Sequence, residues 1–337
     1  MIDKSYINVL ENIKQQIKTS QHKAILNANK EMILMYWNIG KIIEDNIKWG
    51  NKFIENLSKD IRKEFPTSKG FSIRNLKNMV RFYREYPDVQ FVQMVSAQIP
   101  WSHNLEILRV KSQEERLWYI NKTVENGWSK NILAHQIDTK LYMRQVENKK
   151  ITNFPAKLDD IQSELALETI KDPYVFDFLD LKENAKENDL EVALINNITK
   201  VLLELGKGFA FVGHQYHLEI AGEDFYIDLL FYNIKLKCYF VIELKIGEFK
   251  PEYAGQLSFY LTAIDETLKS SSDNPTIGLL LCRQKNNIIA EYTLRDMDKP
   301  MGVSEYRIAD YLPENFQKDL PSIQELINSI EKDIVKE

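Results

Sequence analysis

The chain has 337 residues, of which 44% are apolar and 28% are charged, and its formal net charge at neutral pH is −5. This composition is typical of a globular protein with room for two domains, and no apolar run approaches the ~20 residues of a membrane-spanning helix. The two cysteines, Cys238 and Cys282, lie in apolar strand-like runs. We therefore expect buried free thiols and a cytoplasmic protein, without a disulfide framework or a zinc site.

Charge is distributed unevenly along the chain. Residues 1–150 contain 25 Lys and Arg against 16 Asp and Glu, a net of +9, whereas residues 151–337 contain 19 against 33, a net of −14. All five tryptophans also lie in the first part. The pattern indicates two domains, of which the basic one suits a polyanion. The alternative is ordinary charge scatter over two solvated surfaces.

Residues 1–150 are predicted to form an all-α domain. Apolar residues at three- and four-residue spacing indicate helices over 5–48 with a helix stop at Gly50, and Ser72 and Ser129 are suitable N-caps for later helices. The predicted helices cover 5–48, 51–63, 73–86, 103–126 and 129–149.

The helix that Ser72 opens has a basic face. Arg74, Lys77, Arg81 and Arg84 follow one another at spacings of three, four and three, so they share one side of the helix. Together with the preceding helix, this side predicts a helix-turn-helix-like unit that binds nucleic acid through its phosphates. A solvated basic face is the alternative.

The rest of the chain changes character twice. Residues 151–186 are rich in acid and proline with weak periodicity, which predicts a linker with one short helix. Residues 187–320 predict a helix, three strands, a helix and a strand, hence a mixed sheet flanked by helices. Residues 321–337 predict a C-terminal amphipathic helix. The expected fold class is therefore α+β, with an all-α domain before a mixed-sheet domain.

The hairpin over 225–245 carries a set of charged residues. If its turn is 234–237, Asn233 pairs with Cys238, and the antiparallel register places Asp228 opposite Glu243. Lys245 shares the face of Glu243. Two carboxylates this close in an apolar strand environment repel each other unless a cation compensates. Two carboxylates suit Mg²⁺, with Mn²⁺ as an alternative, and the set is suited to phosphodiester hydrolysis. Edge-strand surface charges are the alternative.

Two further positions extend this constellation. Gln256 and Tyr260 lie one turn apart on the helix that Pro251 opens, where the glutamine would contact the attacking water or the substrate backbone. Glu191, on the helix before the first strand, would supply a third carboxylate. The alternatives are a partly buried polar residue and a solvated helix glutamate. His103 is predicted to be structural, and His214 and His217 are not expected to be ligands. The alternative is that His214 or Gln215 lies close to the substrate.

The run GFAFVGHQYHLEIAGEDFYIDLLFYNIKLKCYFVIELKIGEFKPEYAGQLSFYL resembles the PD-(D/E)XK nuclease domain of the YhcG type, whose superfamily has an αβββαβ core of the restriction-endonuclease kind. In this resemblance Asp228 is the second-strand Asp, Glu243 and Lys245 form the Glu-x-Lys, Gln256 and Tyr260 form the helix signature, and Glu191 is the first-helix acid. Ile227 stands where the superfamily's name has proline. The resemblance implies Mg²⁺-dependent phosphodiester hydrolysis.

The first part of the chain resembles the helical domain that accompanies this nuclease domain. The resemblance rests on short motifs, among them YWNIG (36–40), GFSIRNLKNM (70–79), FYREYP (82–87) and IPWSHN (99–104).

The combined interpretation is an endonuclease that acts on structured or branched DNA, with DNA favoured over RNA and no membrane partner. We expect a homodimer, because cutting both strands needs two sites. Two alternatives stay open: a catalytically silent nucleic-acid-binding protein, and a subunit of a defence or toxin-like complex. The predicted site residues fall into three groups. They are the catalytic Asp228, Glu243, Lys245 and Gln256; the metal-binding Asp228, Glu243 and Glu191; and the nucleic-acid-binding Arg74, Lys77, Arg81, Arg84 and Tyr260.

Overall fold

The computed structural model describes residues 4–46, 52–179 and 185–308. The chain divides into two compact units, residues 1–142 and 143–337. The predicted stop at Gly50 and the predicted helix within 321–337 lie outside the described residues. Among the described helices, none is long and apolar enough to cross a membrane.

The first unit is helical, as predicted. Its helices are α1 (Lys4–Asp45), α2 (Phe53–Glu64), α3 (Ile73–Glu85), α4 (Val89–Met94), α5 (Trp101–Ile107), α6 (Gln113–Asn126) and α7 (Lys130–Asp138). The two predicted N-caps are confirmed, because Ser72 Oγ accepts a hydrogen bond from Asn75 N and Ser129 Oγ accepts one from Ile132 N.

Two predicted helices of this unit are shorter than expected. The helix expected over 103–126 is divided into α5 and α6, because Ser112 Oγ accepts from Glu115 N and opens a new helix there. The helix expected over 129–149 ends at Asp138, shortly before Lys140 adopts a positive φ of 54°. Polar caps and backbone reversals therefore interrupt a periodicity that the apolar residues alone would continue.

Helices α1 and α3 approach each other closely at Gly40. A Cβ on this glycine would lie 2.1 Å from Met79 O and 2.6 Å from Met79 C. The same two helices bury Ile43 and Leu76 in a shared apolar cluster. Glycine is therefore needed at position 40 to let the two backbones pack.

The second unit is built on a mixed sheet, again as predicted. The strands are β1 (Ile151–Thr152), β2 (Tyr174–Phe176), β3 (Phe209–Ile220), β4 (Glu223–Asn233), β5 (Cys238–Glu248), β6 (Ile277–Gln284) and β7 (Met301–Ile308). Their order is β1-β7-β6-β5-β4-β3, with β2 paired to β7 outside this path. Strands β3, β4 and β5 form an antiparallel meander, whereas β5, β6 and β7 run parallel.

Helices cover both faces of this sheet. They are α8 (Phe154–Lys157), α9 (Asp160–Thr169), α10 (Glu187–Asn196), α11 (Ile198–Leu205), α12 (Pro251–Thr267) and α13 (Asn287–Arg295). Alternate strand residues enter two different cores: Phe231 and Ile242 pack with α10 and α11, while Leu230 and Val241 pack with α12 and α13. Both faces are thus buried, which explains the nearly continuous apolar runs of β5 and β6.

The prediction of a linker over 151–186 is wrong, because the described residues of this segment are part of the second unit. Strand β1 pairs antiparallel with β7, and β2 pairs with β7 in parallel. The Asn153 side chain donates to the carbonyls of Leu294, Met297 and Lys299 and accepts from Met301 N. These elements are short and pair with residues some 130 to 150 positions away, so local periodicity does not reveal them.

Candidate active site

The predicted hairpin register is confirmed. Asn233 pairs with Cys238, and the ladder between β4 and β5 continues to Leu229 and Ile242. The next position brings Asp228 and Glu243 to the same end of this ladder. There the Asp228 side chain takes over the strand hydrogen bond, because Leu244 N donates to Asp228 Oδ2 at 2.9 Å. The side chain of Asp228 is thereby held against the backbone of β5.

Lys245 lies beside these two acids. Its Nζ is 3.6 Å from Glu243 Oε2 and 2.8 Å from Glu187 Oε1. The same ammonium group lies 5.5 Å from the ring centroid of Tyr253, at the start of α12. The Lys245 amine therefore lies next to the two acids, as the sequence predicted. Glu187, which was not predicted to belong to the site, holds the amine there.

Glu191 joins the site from α10. The carboxamide of Gln215 connects it to Asp228, because Gln215 Nε2 donates to Glu191 Oε2 at 2.8 Å and to Asp228 Oδ1 at 3.4 Å. His214 Nδ1 lies 3.8 Å from Glu191 Oε1. With Glu187, the structure therefore gathers four acids and one amine from one helix and two neighbouring strands.

Burial and mutual repulsion make the ionised forms of these acids less stable and so raise their pKa values. Burial and the charge of Asp228 raise the pKa of Glu243, which is 1% exposed, to about 8. Burial also raises the pKa of Asp228, although the Leu244 N–H and Lys245 oppose the shift. Burial raises the pKa of Glu191 too. Without added positive charge, the surroundings therefore make the ionised form of each of these carboxyl groups less favourable than it is in water.

Lys245 behaves in the opposite way. Burial disfavours its charged form, but the hydrogen bond to Glu187 and the charges of Glu243 and Asp228 outweigh burial, so its pKa is raised. The amine therefore stays an ammonium group and neutralises part of the acidic charge. One ammonium group does not neutralise several acids, so the negative charge that is left can attract a further cation.

The donor set fits a hard divalent cation. Two buried oxygens, Glu243 Oε1 and Glu191 Oε1, have no hydrogen-bond partner among the described residues. Buried carboxylate oxygens without partners are costly, and oxygen is the ligand that Mg²⁺ and Mn²⁺ prefer. Within residues 4–46, 52–179 and 185–308, no group of three or more His, Cys, Asp or Glu side chains is arranged to hold a metal ion by itself. Water or substrate oxygens would have to complete the coordination, as is usual for Mg²⁺.

The two predicted residues of α12, Gln256 and Tyr260, differ in their exposure to solvent. Gln256 is exposed, and its Nε2 donates to Tyr260 Oη at 3.2 Å. Tyr260 is 6% exposed and packs in the core between α12 and the sheet. The Tyr260 ring is therefore too buried to stack on a base, which argues against the predicted nucleic-acid contact by this residue. Its hydroxyl instead orients the Gln256 carboxamide.

The predicted basic face is present on α3. Arg74, Lys77, Arg81 and Arg84 are all exposed. Two of them are engaged with the protein itself: Arg81 donates to the carbonyl of Leu108 at 2.5 Å, and Arg84 lies 2.8 Å from Glu44. Arg74 and Lys77 therefore stand out as the better candidates for phosphate contacts.

The histidines do not form a site of their own. His103 is buried, and its Nε2 lies 2.9 Å from the carbonyl oxygen of Trp128. His217 lies 2.6 Å from Asp224 at the far end of the hairpin. Both positions agree with what the sequence predicted for these two residues.

Glu187 and Tyr253 were not predicted to belong to the site, and Gln215 was expected only as a possible neighbour of the substrate. Glu187 precedes Glu191 by four residues on α10, a spacing that places both on one helix face and could have revealed it. Gln215 lies opposite Asp228 in the β3–β4 register, which requires knowing that pairing. Tyr253 is brought near Lys245 by the connection between β5 and α12, and no local pattern signals this.

The chain matches two protein families in succession. Residues 12–144 match the family described as the DUF1016 N-terminal domain, and residues 167–321 match the one described as the YhcG PDDEXK nuclease domain. A curated relative, the "Putative nuclease YhcG" of Escherichia coli (strain K12), is 31% identical over an alignment of 340 residues that covers 90% of this chain and 90% of the relative.

Solved structures overlap with a smaller part of the chain. A repair endonuclease from Pyrococcus abyssi is 17% identical with a TM-score of 0.25, and the match covers 38% of this chain and 49% of that one. The EndoMS–dsDNA2 complex is 20% identical with a TM-score of 0.26, covering 38% of this chain and 47% of that one. This chain thus spans about half the length of each of these two solved chains.

Proposed function

The chain belongs to the YhcG family, whose second domain is a PDDEXK nuclease domain, and from this premise we propose that it is a Mg²⁺-dependent DNA endonuclease. The observation that carries the proposal is the meeting of Asp228 and Glu243 with an ammonium group 3.6 Å from the latter. Such a set combines acids that need a cation with an amine that neutralises charge.

The residues of the site have separable roles in this proposal. Asp228 and Glu243 would hold the cation, with Glu191 as a third acid near them, and the ion would make water more acidic and offset the negative charge of the phosphodiester. Lys245, kept protonated by Glu187, stabilises the charge that builds up on the phosphate oxygens in the transition state. Gln256, oriented by Tyr260, contacts the attacking water or the substrate backbone.

The first unit would supply affinity for DNA. Arg74 and Lys77 expose two positive charges one turn apart on α3, which suits contacts to successive phosphates. These contacts read no sequence, so recognition of branched or structured DNA would depend on backbone shape. Two copies of the chain would provide the two sites that cutting both strands requires.

The test is a cleavage assay with plasmid, four-way junction and RNA substrates in Mg²⁺, Mn²⁺ or EDTA. We expect metal-dependent cutting of DNA by the wild type and a loss of at least about 100-fold in Asp228→Ala, because the cation site loses a ligand. Asp224→Ala is the matched control: this exposed aspartate on the same strand pairs with His217 away from the site, and its loss should leave cutting unchanged.

Two outcomes would overturn the proposal. Equal cutting by the wild type and Asp228→Ala would show that the activity lies elsewhere. Binding of DNA without cutting in any metal would favour the silent nucleic-acid-binding protein instead.

A further inference from the structure

Gln215 occupies an unusual backbone position next to the acids. Its neighbours His214 and Tyr216 pair with Leu229 and Ile227 of β4, so Gln215 lies opposite Asp228. Its φ is +42°, the left-handed region that a residue with a side chain adopts at a cost of about 1 kcal/mol. A β-bulge between Phe211 and Gly213 precedes it on the same strand. Bulges and strained residues of this kind often re-aim a side chain near a functional site.

The side chain is aimed at two acids from different elements. One carboxamide nitrogen of Gln215 donates to Glu191 Oε2 on α10 and to Asp228 Oδ1 on β4. The second oxygen of Glu191 has no hydrogen-bond partner among the described residues. The amide therefore takes one oxygen of Glu191, while the other lies 3.8 Å from His214 Nδ1 and, within the described part of the chain, stays without a hydrogen bond.

We propose that Gln215 is a positioning residue that holds Glu191 beside Asp228 and so brings a third carboxylate to the cation site. This inference rests on the proposed function and names the residue that assembles its site. A neutral donor suits the task, since an amide N–H pairs with two acids without adding charge. A carboxylate at position 215 would repel both acids, and an ammonium group would compete with the cation.

The charge state of the neighbours favours this role. Glu191 faces His214 and Gln215 from β3, Asp228 from β4 and Glu187 from its own helix. Two of these four neighbours are acids that repel it. Without the Gln215 amide, we expect the Glu191 side chain to swing away from Asp228, because electrostatic repulsion would no longer be offset by a hydrogen bond.

A double-mutant cycle on Mn²⁺ binding tests the proposal. Mn²⁺ alone is titrated into the full-length wild type, Gln215→Gly, Glu191→Gln and the double variant, with binding followed by calorimetry and by the electron paramagnetic resonance signal of free Mn²⁺. Glycine at 215 removes the amide and accepts the positive φ, so the backbone is not penalised. We expect each single variant to bind about 10-fold more weakly, as for the loss of an outer-shell partner. The double variant should be no weaker than the weaker single variant.

Two controls separate positioning from a merely structural effect. Glu219→Gln changes an exposed residue on the same strand and should bind Mn²⁺ like the wild type. Gln215→Asn keeps a carboxamide and should recover part of the affinity that Gln215→Gly loses. Thermal unfolding without metal should show Gln215→Gly at least as stable as the wild type, because the strained backbone is relieved.

The contrary outcomes are distinct. Additive losses in the cycle, or tighter Mn²⁺ binding by Gln215→Gly, would overturn the positioning role, since the amide would then act independently of Glu191 or compete with the cation. If Asp228→Ala abolishes Mn²⁺ binding and cleavage while Gln215→Gly changes neither, this inference fails and the proposed function stands. If Asp228→Ala also changes neither, both fail.

Discussion

The buried carboxyl group of Glu243 lowers the stability of the folded protein when no cation is bound. The side chain is almost fully buried next to Asp228, and one of its oxygens has no hydrogen-bond partner among the described residues. Burial and the neighbouring acid raise the pKa of its carboxyl group to about 8. A group of this kind binds its proton more tightly in the folded state than in the unfolded chain. Its presence therefore costs stability progressively as the pH rises from the pKa of the unfolded chain to that of the folded state, where the loss is complete.

This gives a prediction on pH and stability for Glu243→Gln in EDTA. Between the unfolded pKa near 4.5 and the folded pKa near 8, the wild type loses stability as the pH rises, whereas the neutral glutamine is unaffected. We expect the variant to be more stable than the wild type at pH 9, by on the order of 3 kcal/mol, and similar to it at pH 5. Thermal unfolding at both pH values measures the difference.

Metal addition provides the control for that experiment. Saturating Mn²⁺ should stabilise the wild type and reduce or reverse the advantage of Glu243→Gln, because only the intact acid pair binds the ion well. The same gain in stability at pH 5 and pH 9 would contradict the prediction, since it would reflect packing rather than ionisation.

At the scale of single residues, the sequence predicted the acids better than their partners. Asp228 and Glu243 follow from a four-residue turn and strict strand alternation, both of which are local. Glu187 and Gln215 depend on where α10 and β3 lie relative to that hairpin. For Tyr260, helical spacing reports which residues share a face, but it does not show that the face is buried against a sheet.

At the scale of elements, Gly40 determines how closely α1 and α3 pack. Glycine within a helix normally costs about 1 kcal/mol relative to alanine, so its presence here needs a reason. The reason is the Met79 backbone, which would lie 2.1 Å from any Cβ at position 40. A backbone atom cannot move aside as a side chain does, so the helices themselves would have to separate.

The substitution Gly40→Ala should therefore destabilise the first unit by about 2–4 kcal/mol, despite the better helix propensity of alanine. Urea unfolding followed by tryptophan fluorescence measures this, because all five tryptophans lie within residues 1–150. Gly255→Ala on α12 is the matched control. Apart from its two chain neighbours and the nearby backbone of its own helix, no atom lies within 4 Å of the added Cβ. It should leave the tryptophan transition unchanged, and an unchanged midpoint for Gly40→Ala would refute the prediction.

The predicted elements succeeded where their signals were local. Ser72 and Ser129 open helices because their hydroxyls cap the first turn, and strands β3 to β6 show clear β-branched and aromatic runs. The segment around Asn153 was misassigned, because two- and three-residue strands carry no periodicity. Its side chain donates to carbonyls in the last turn of α13 and in the connection between α13 and β7, which only the folded chain brings near.

At the scale of the whole molecule, the uneven charge distribution has a measurable consequence for DNA binding. Among the exposed basic residues of α3, Arg81 donates to the Leu108 carbonyl and Arg84 pairs with Glu44. Arg74 and Lys77 make no such contact with the described residues. If both contact phosphates, Arg74→Ala combined with Lys77→Ala should weaken binding to duplex DNA at 0.1 M salt by about 10-fold. It should also reduce the slope of log K against log salt by about 2.

Fluorescence anisotropy with a labelled duplex over a range of salt concentrations measures both quantities. The reference is Arg84→Ala, whose side chain already pairs with Glu44, and we expect a smaller change in slope. A slope that is unchanged in the double variant would mean that α3 does not touch the phosphates.

The division of charge also bears on how activity depends on ionic strength. The acids of the proposed cation site belong to the part of the chain with a net charge of −14, whereas residues 1–150 carry +9. As salt is lowered, screening weakens and both fields reach further, so the first half attracts DNA more strongly while the second half repels it more strongly. Turnover should thus pass through an optimum at intermediate ionic strength, where capture is still effective and entry of the strand into the acidic half is no longer opposed.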